Sequence, residues 1–157
     1  MLIAALSLAT ASIAPPPARA ELQPAAMAAV VAGAQACAGT TTDPQGQRQR
    51  LIDWHPAPAR FARTDGQTYE RDHVIVTLSA NPRHPAKGAC VVEARAGQDW
   101  KVSDLIKALC DTFGARRQDT LGRVILHLRG GEILVLTGGQ RGDAQYVILT
   151  LARSERT

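Results

Sequence analysis

The feature that most restricts this chain is a glycine pair set between two alternating runs. Residues 123–129 (RVILHLR) and 132–137 (EILVLT) alternate with a period of two, and Gly130-Gly131 between them is the two-residue connection that type I′ and II′ hairpin turns favour. Such a turn puts Arg129 opposite Glu132 and Leu128 opposite Ile133. Val124, Leu126 and Leu128 then share a face with Ile133 and Val135, while His127 stands on the other side near Leu134. A third run, residues 146–151 (YVILTL), follows a glycine-rich stretch read as a turn, residues 138–142, and extends the hairpin into a meander.

The same alternation appears upstream. Residues 73–80 (HVIVTLSA) and 89–96 (ACVVEARA) flank the turn-like stretch 81–88 and form a second expected hairpin, with Cys90, Val92 and Ala94 on one face. Two segments carry helical spacing instead. Pro24 suits a first helical turn, and Met27, Val30, Val31, Ala34 and Cys37 recur at steps of three and four until Gly39. Val102, Leu105, Ile106, Leu109 and Phe113 make a second stripe, capped by Asp99 or Ser103 and stopped by Gly114. Residues 40–72 show no clean period and contain Pro44, Gly46, Pro56, Pro58 and the Asp65-Gly66 turn signal, so they read as a long irregular segment with at most short strands. No internal repeat is visible. The expected fold is a two-layer α+β domain, an antiparallel sheet of about five strands packed by two helices.

The first twenty residues read as a leader. Residues 2–14 (LIAALSLATASIA) are uncharged and too few to span a bilayer, Pro15 to Pro17 end any helix, and Ala18-Arg19-Ala20 offers small residues at the positions signal peptidase needs. The expected division is a signal peptide over 1–20 and a single domain over 21–157. Net charge is +4, and the loss of Arg19 leaves the mature part at +3, with arginines scattered between acids. That pattern lacks the basic block of a nucleic-acid-binding arm, and supports at most an anionic surface or an envelope protein as partner.

Export to an oxidising compartment makes the three cysteines informative. Cys37 closes the apolar stripe of the first helix and Cys90 opens the inward face of a strand. Of the three possible pairings, Cys37 with Cys90 is the favoured one, with Cys110 left as a small core residue on the buried side of the second helix. No catalytic, cofactor or metal motif stands out. His55, His73, His84 and His127 lack the short spacings of paired ligands, and Ser79, Ser103 and Ser154 lie in no nucleophile elbow. The tripeptide Arg141-Gly142-Asp143, an adhesion motif in other proteins, falls in the glycine-rich turn. The candidate binding surface is the aromatic and arginine-rich part of the irregular segment: Leu51, Trp54, His55, Arg60, Phe61, Arg63 and Tyr69. The expected function is therefore a periplasmic or secreted binding or accessory protein without catalysis or cofactor. A rival reading is a small hydrolase or transferase using Cys110 or a histidine.

Ala36-Cys37, Trp54 with Pro56 and Pro58, the Cys90-Val91-Val92 strand, Phe113-Gly114 and a final hydrophobic strand together resemble small exported proteins of proteobacteria. The resemblance implies export and a one-domain α+β fold, and carries no catalytic residue.

Overall fold

The computed structural model describes residues 21–39, 46, 49–62, 66–79 and 89–153, with Arg141 described by its backbone alone. The leader, the 81–88 connection, His84, Arg63 and Ser154 lie outside them. Among the described residues nine strands form one sheet, accompanied by two fully described helices, so the chain is β-rich and the expected two-layer α+β arrangement of five strands is overturned. In chain order these are β1 (Pro24–Ala25), α1 (Met27–Cys37), β2 (His55–Pro56), a 3₁₀ turn (Ala59–Phe61), β3 (Gly66–Arg71), β4 (Val74–Ser79), β5 (Ala89–Ala96), α2 (Val102–Phe113), β6 (Arg116–Thr120), β7 (Arg123–His127), β8 (Glu132–Arg141) and β9 (Ala144–Arg153).

The sheet runs β2-β3-β4-β5-β9-β8-β7-β6, with β1 added in parallel beside the end of β5. It is thus two antiparallel meanders, each preceded by a helix and each running from an outer edge to the centre, where β5 pairs with β9. Among the fully described elements, the repeated order of a helix followed by four strands lies in the elements, not in the residues. Cys90 stands opposite Leu151, Val92 opposite Leu149 and Ala94 opposite Val147. All six are buried, and they form the middle of a core continued by Val74, Val76, Leu126, Leu134 and Leu136.

The strands missed in the sequence have a common cause. Every residue of β6 is exposed, and β2 and β3 lie at the opposite edge, so neither face imposes an apolar alternation. The glycine-rich stretch read as a turn is strand: β8 and β9 run through it and turn at Gly142-Asp143. The Gly-Gly hairpin is also shifted by one residue from the expected register. His127, not Leu128, lies opposite Ile133, and Leu128 N–H donates to Glu132 O at 2.9 Å around a three-residue loop, Arg129-Gly130-Gly131. A one-residue slip exchanges faces. Leu134 and Leu136 consequently join Leu126 and Leu128 in the core, while Ile133 and Val135 turn to the other side. Glycines at φ +97° and +84° make that longer loop accessible.

Each helix departs slightly from its expected start. Pro24 belongs to β1, where Trp100 Nε1–H donates to Ala25 O at 2.9 Å, and α1 begins at Met27. α2 is entered through Lys101, whose N–H donates to the Asp104 carboxylate at 3.0 Å, so neither Asp99 nor Ser103 provides the cap. Its end is as expected, with Gly114 in the left-handed region at φ +57°. α1 lies close on the sheet at Gly33, where a Cβ would stand 2.9 Å from Val92 Cγ1 and 3.1 Å from Val74 Cγ1. The Cys37–Cys90 disulfide fixes the far end of that helix to the central strand β5.

Three stability effects follow. Converting Cys37 and Cys90 to alanine frees a loop 53 residues long, and denaturant unfolding should show a loss of about 4 kcal/mol from loop entropy. Gly33→Ala should cost about 1–3 kcal/mol in the same assay, since overpacking against two β-branched side chains outweighs alanine's helix propensity. Leu121 occupies the first central position of the β6–β7 turn at φ +38°, followed by Gly122 at φ +77°. Leu121→Asn creates the Asn-Gly pair that this turn type prefers, and should raise stability by about 0.5–1 kcal/mol, read as an upward shift in Tm.

Candidate functional site

The aromatic and arginine candidates are spread over different environments. Leu51 and Trp54 turn inward, joined by the Trp54 N–H to Leu51 O hydrogen bond of 3.0 Å, and the Trp54 ring reaches the space beside Gly33. Trp54 is only 7% exposed. His55 is exposed on β2 opposite Glu70, whereas Tyr69 is half-buried opposite Val76, and these two positions belong to opposite faces of the sheet. Tyr69 Oη donates to Gln67 Oε1 at 3.0 Å. Arg60 is exposed and lays its guanidinium over the half-buried Phe61 ring at 5.0 Å, a contact within the 3₁₀ turn. Arg63 falls outside the described residues.

Trp54 does share a groove with residues that the sequence pattern did not single out as a group. One wall is the N-terminal half of α1 and its approach, with Pro24, Ala26, Ala28, Ala29 and Ala32, and the opposite end is the β3–β4 turn, Arg71, Asp72 and His73. The groove has a volume of 590 Å³ and a mainly apolar lining. Alanines make the wall smooth because none carries a side chain past Cβ. The turn end is chemically different. Asp72 and His73 take φ values of +50° and +66°, two successive left-handed residues, in a two-residue connection between Arg71 and Val74. Asp at the first of these positions suits the turn, but glycine is the residue that the second favours. A strand reading of residues 73–80 hid this, because His73 precedes a clean alternation.

The charged groups lining the groove, Arg71 and Asp72, stand together at its turn end. α1 has no acidic residue in its first turn and no side-chain cap, so no carboxylate of its own first turn offsets the positive end of its dipole. Arg71 adds a full charge, partly answered by Asp72, whose carboxylate lies 3.4 Å from Arg71 Nε on the surface. Such an exposed pair adds little stability and leaves both groups accessible.

Elsewhere the candidates for chemistry are dispersed. Cys110 is a free thiol, half-buried rather than fully enclosed, packed against the core from α2. His127 Nε2 lies 2.9 Å from Gln118 Oε1 on the exposed face of the β6–β7 hairpin. Arg117, also on that hairpin, is bound by the Asp119 carboxylate at 2.8 and 2.9 Å. Its pKa is raised above the ordinary arginine value by that hydrogen bond first, then by the Asp119 charge. Among the described residues no group of three or more His, Cys, Asp or Glu side chains is placed to hold a metal ion. Nor is any helix among them long and apolar enough to cross a membrane. Glu132 is buried and accepts the Gly39 N–H at 3.0 and 3.1 Å, tying the loop after α1 to the start of β8. It serves the fold rather than an open site. Arg141, Gly142 and Asp143 form the apex of the β8–β9 hairpin, beside a shallow polar hollow lined by Gly138, Gly139, Gln140, Asp143 and Gln145.

Set against protein-family models, curated proteins and solved structures, the chain matches none, so the functional reading of the Trp54 groove rests on its own geometry.

Proposed function

We propose that this chain is an exported binding module of the periplasm or the extracellular space, and that the groove between α1 and the β3–β4 turn is where it binds. One observation carries the reading: an apolar trough bounded by Trp54 and the alanines of α1 ends at His73, a side chain held in a backbone conformation where glycine would serve the turn better. The leader pattern and the Cys37–Cys90 bond support export, since disulfides persist in oxidising compartments. A smooth apolar wall with Arg71 and His73 at one end suits a small amphipathic molecule with an anionic head. The alkyl part lies along Ala28, Ala29 and Ala32. The head accepts hydrogen bonds at the turn.

The test uses the mature, oxidised protein in an NMR titration with octanoate and, for comparison, octanol. Saturable shifts of the Ala28, Ala32, Trp54 and His73 signals are expected, with octanoate the stronger ligand. His73→Gly should weaken octanoate binding about five- to tenfold, the worth of one hydrogen bond to a charged group, while Tm stays level or rises. Equal octanoate affinity in His73→Gly, or shifts scattered away from the groove, would exclude this site.

A further inference from the structure

Beyond the groove, we infer that the part of β8 that outruns β7 is a docking edge for an extended peptide segment of a partner protein. β7 pairs with β8 only as far as Val124 opposite Leu136, but β8 continues to Arg141 against β9. Backbone groups along a strand point alternately to its two neighbours. The Leu128 N–H to Glu132 O bond sets that parity: Glu132, Leu134 and Leu136 turn their backbone groups to β7, and Gly138 and Gln140 turn theirs to the same side. Gly138 comes level with Gly122 of the β6–β7 turn but does not pair with it, and no described strand residue lies opposite Gln140 on that side. Two N–H and two C=O groups therefore face a notch about four residues long, roughly 13 Å at strand spacing.

The two outermost strands of the sheet path are guarded, and this stretch is not. β6 reads RRQDT, with both arginines and the aspartate exposed, and β2 carries Pro56; charge and proline are the usual devices that keep an edge from pairing. The notch presents Gly138, Gly139 and Gln140, all exposed, and nothing lies within 4 Å of where a Gly139 Cβ would stand. Its floor is the β6–β7 turn. There Leu121 is 99% exposed and held at φ +38°, an apolar side chain kept where asparagine or glycine would suit the backbone. A peptide strand entering the notch continues the line of β7, exchanges hydrogen bonds with Gly138 and Gln140, and sets an apolar side chain against Leu121. Backbone pairing at an open edge with one side-chain contact is the mode called strand addition.

A phage-displayed library of random heptapeptides is selected on the mature, oxidised protein, and enriched peptides are measured by calorimetry. Peptides rich in β-branched residues, with micromolar Kd, are expected. Gln140→Pro removes an outward N–H without touching the β9 ladder and should weaken them at least tenfold; Leu121→Asn, which suits the fold, should weaken them at least threefold. Bound peptide should slow amide exchange at Gly138 and Gln140 at least tenfold, a readout that needs no variant. Failure to enrich any peptide overturns the inference. So do peptides that bind wild type and Leu121→Asn equally, or that leave those two amides unchanged. A self-associating protein that Gln140→Pro returns to monomer also overturns it, by assigning the edge to a second copy. None of these results bears on the groove at His73.

Discussion

Pairing of β5 with β9 is the contact on which the rest of the molecule depends. Each meander closes on itself through local hairpins, but the two become one sheet only where residues 90–95 meet residues 146–151. That pairing is also where burial is deepest: Cys90, Val92, Val147, Leu149 and Leu151 have no measurable exposure. A long-range pairing of this kind must overcome a large loop entropy before its contacts can form. The disulfide acts on the same strand. By fixing Cys37 to Cys90 it holds α1 across β5, and Gly33 lets the helix lie near enough for Val74 and Val92 to fill the space beneath it.

What could be read from the residues was whatever the core enforces. Cys90, Val92 and Ala94 alternate because α1 covers one face of β5, and α2 declares itself through Leu105, Ile106 and Leu109, all buried. The cysteine pairing followed from the same logic of inward faces. Elements lacking a covered face left no such trace. β6 is exposed throughout, and β2 is two residues long, so polarity there looks like loop. The register of the Gly130-Gly131 hairpin was a closer contest. Both registers give an apolar stripe, since Ile133 to Leu136 are apolar without a break, and β9 decides between them by placing Leu149 and Leu151 opposite Leu136 and Leu134. Local turn preference yields to the burial of two leucines.

The groove was half legible. Trp54 stood out as an aromatic among prolines, but its companions are alanines of a helix and a turn hidden at the start of a strand. Alanine carries no chemical signature in a sequence; only the position of α1 against the β3–β4 turn gives Ala28, Ala29 and Ala32 a shared purpose. The aromatic and arginine cluster on the irregular segment, by contrast, divides between the two faces of the sheet edge, because neighbouring strand residues point in opposite directions.

His73 and Leu121 have a property in common that bears on where function sits. Both occupy left-handed positions in two-residue turns, and at neither is the residue the one the turn prefers. Row by row, Ile75, Glu93, Ile148 and Thr137 lie abreast across the sheet, and the turns Asp72-His73, Leu121-Gly122 and Gly142-Asp143 all fall at the end beyond that row. The opposite end has the Gly130-Gly131 loop, where glycine occupies the left-handed positions and the backbone is relaxed. Among the described residues, the non-glycine left-handed positions all fall at the end that holds both the groove and the open stretch of β8. A sheet stabilised at its centre by two buried strands and a disulfide tolerates such strain at its rim, since a misfit of about 1 kcal/mol in a surface turn is small beside the burial at β5 and β9. The side chains at that rim are thus free to be chosen for what they meet outside the fold.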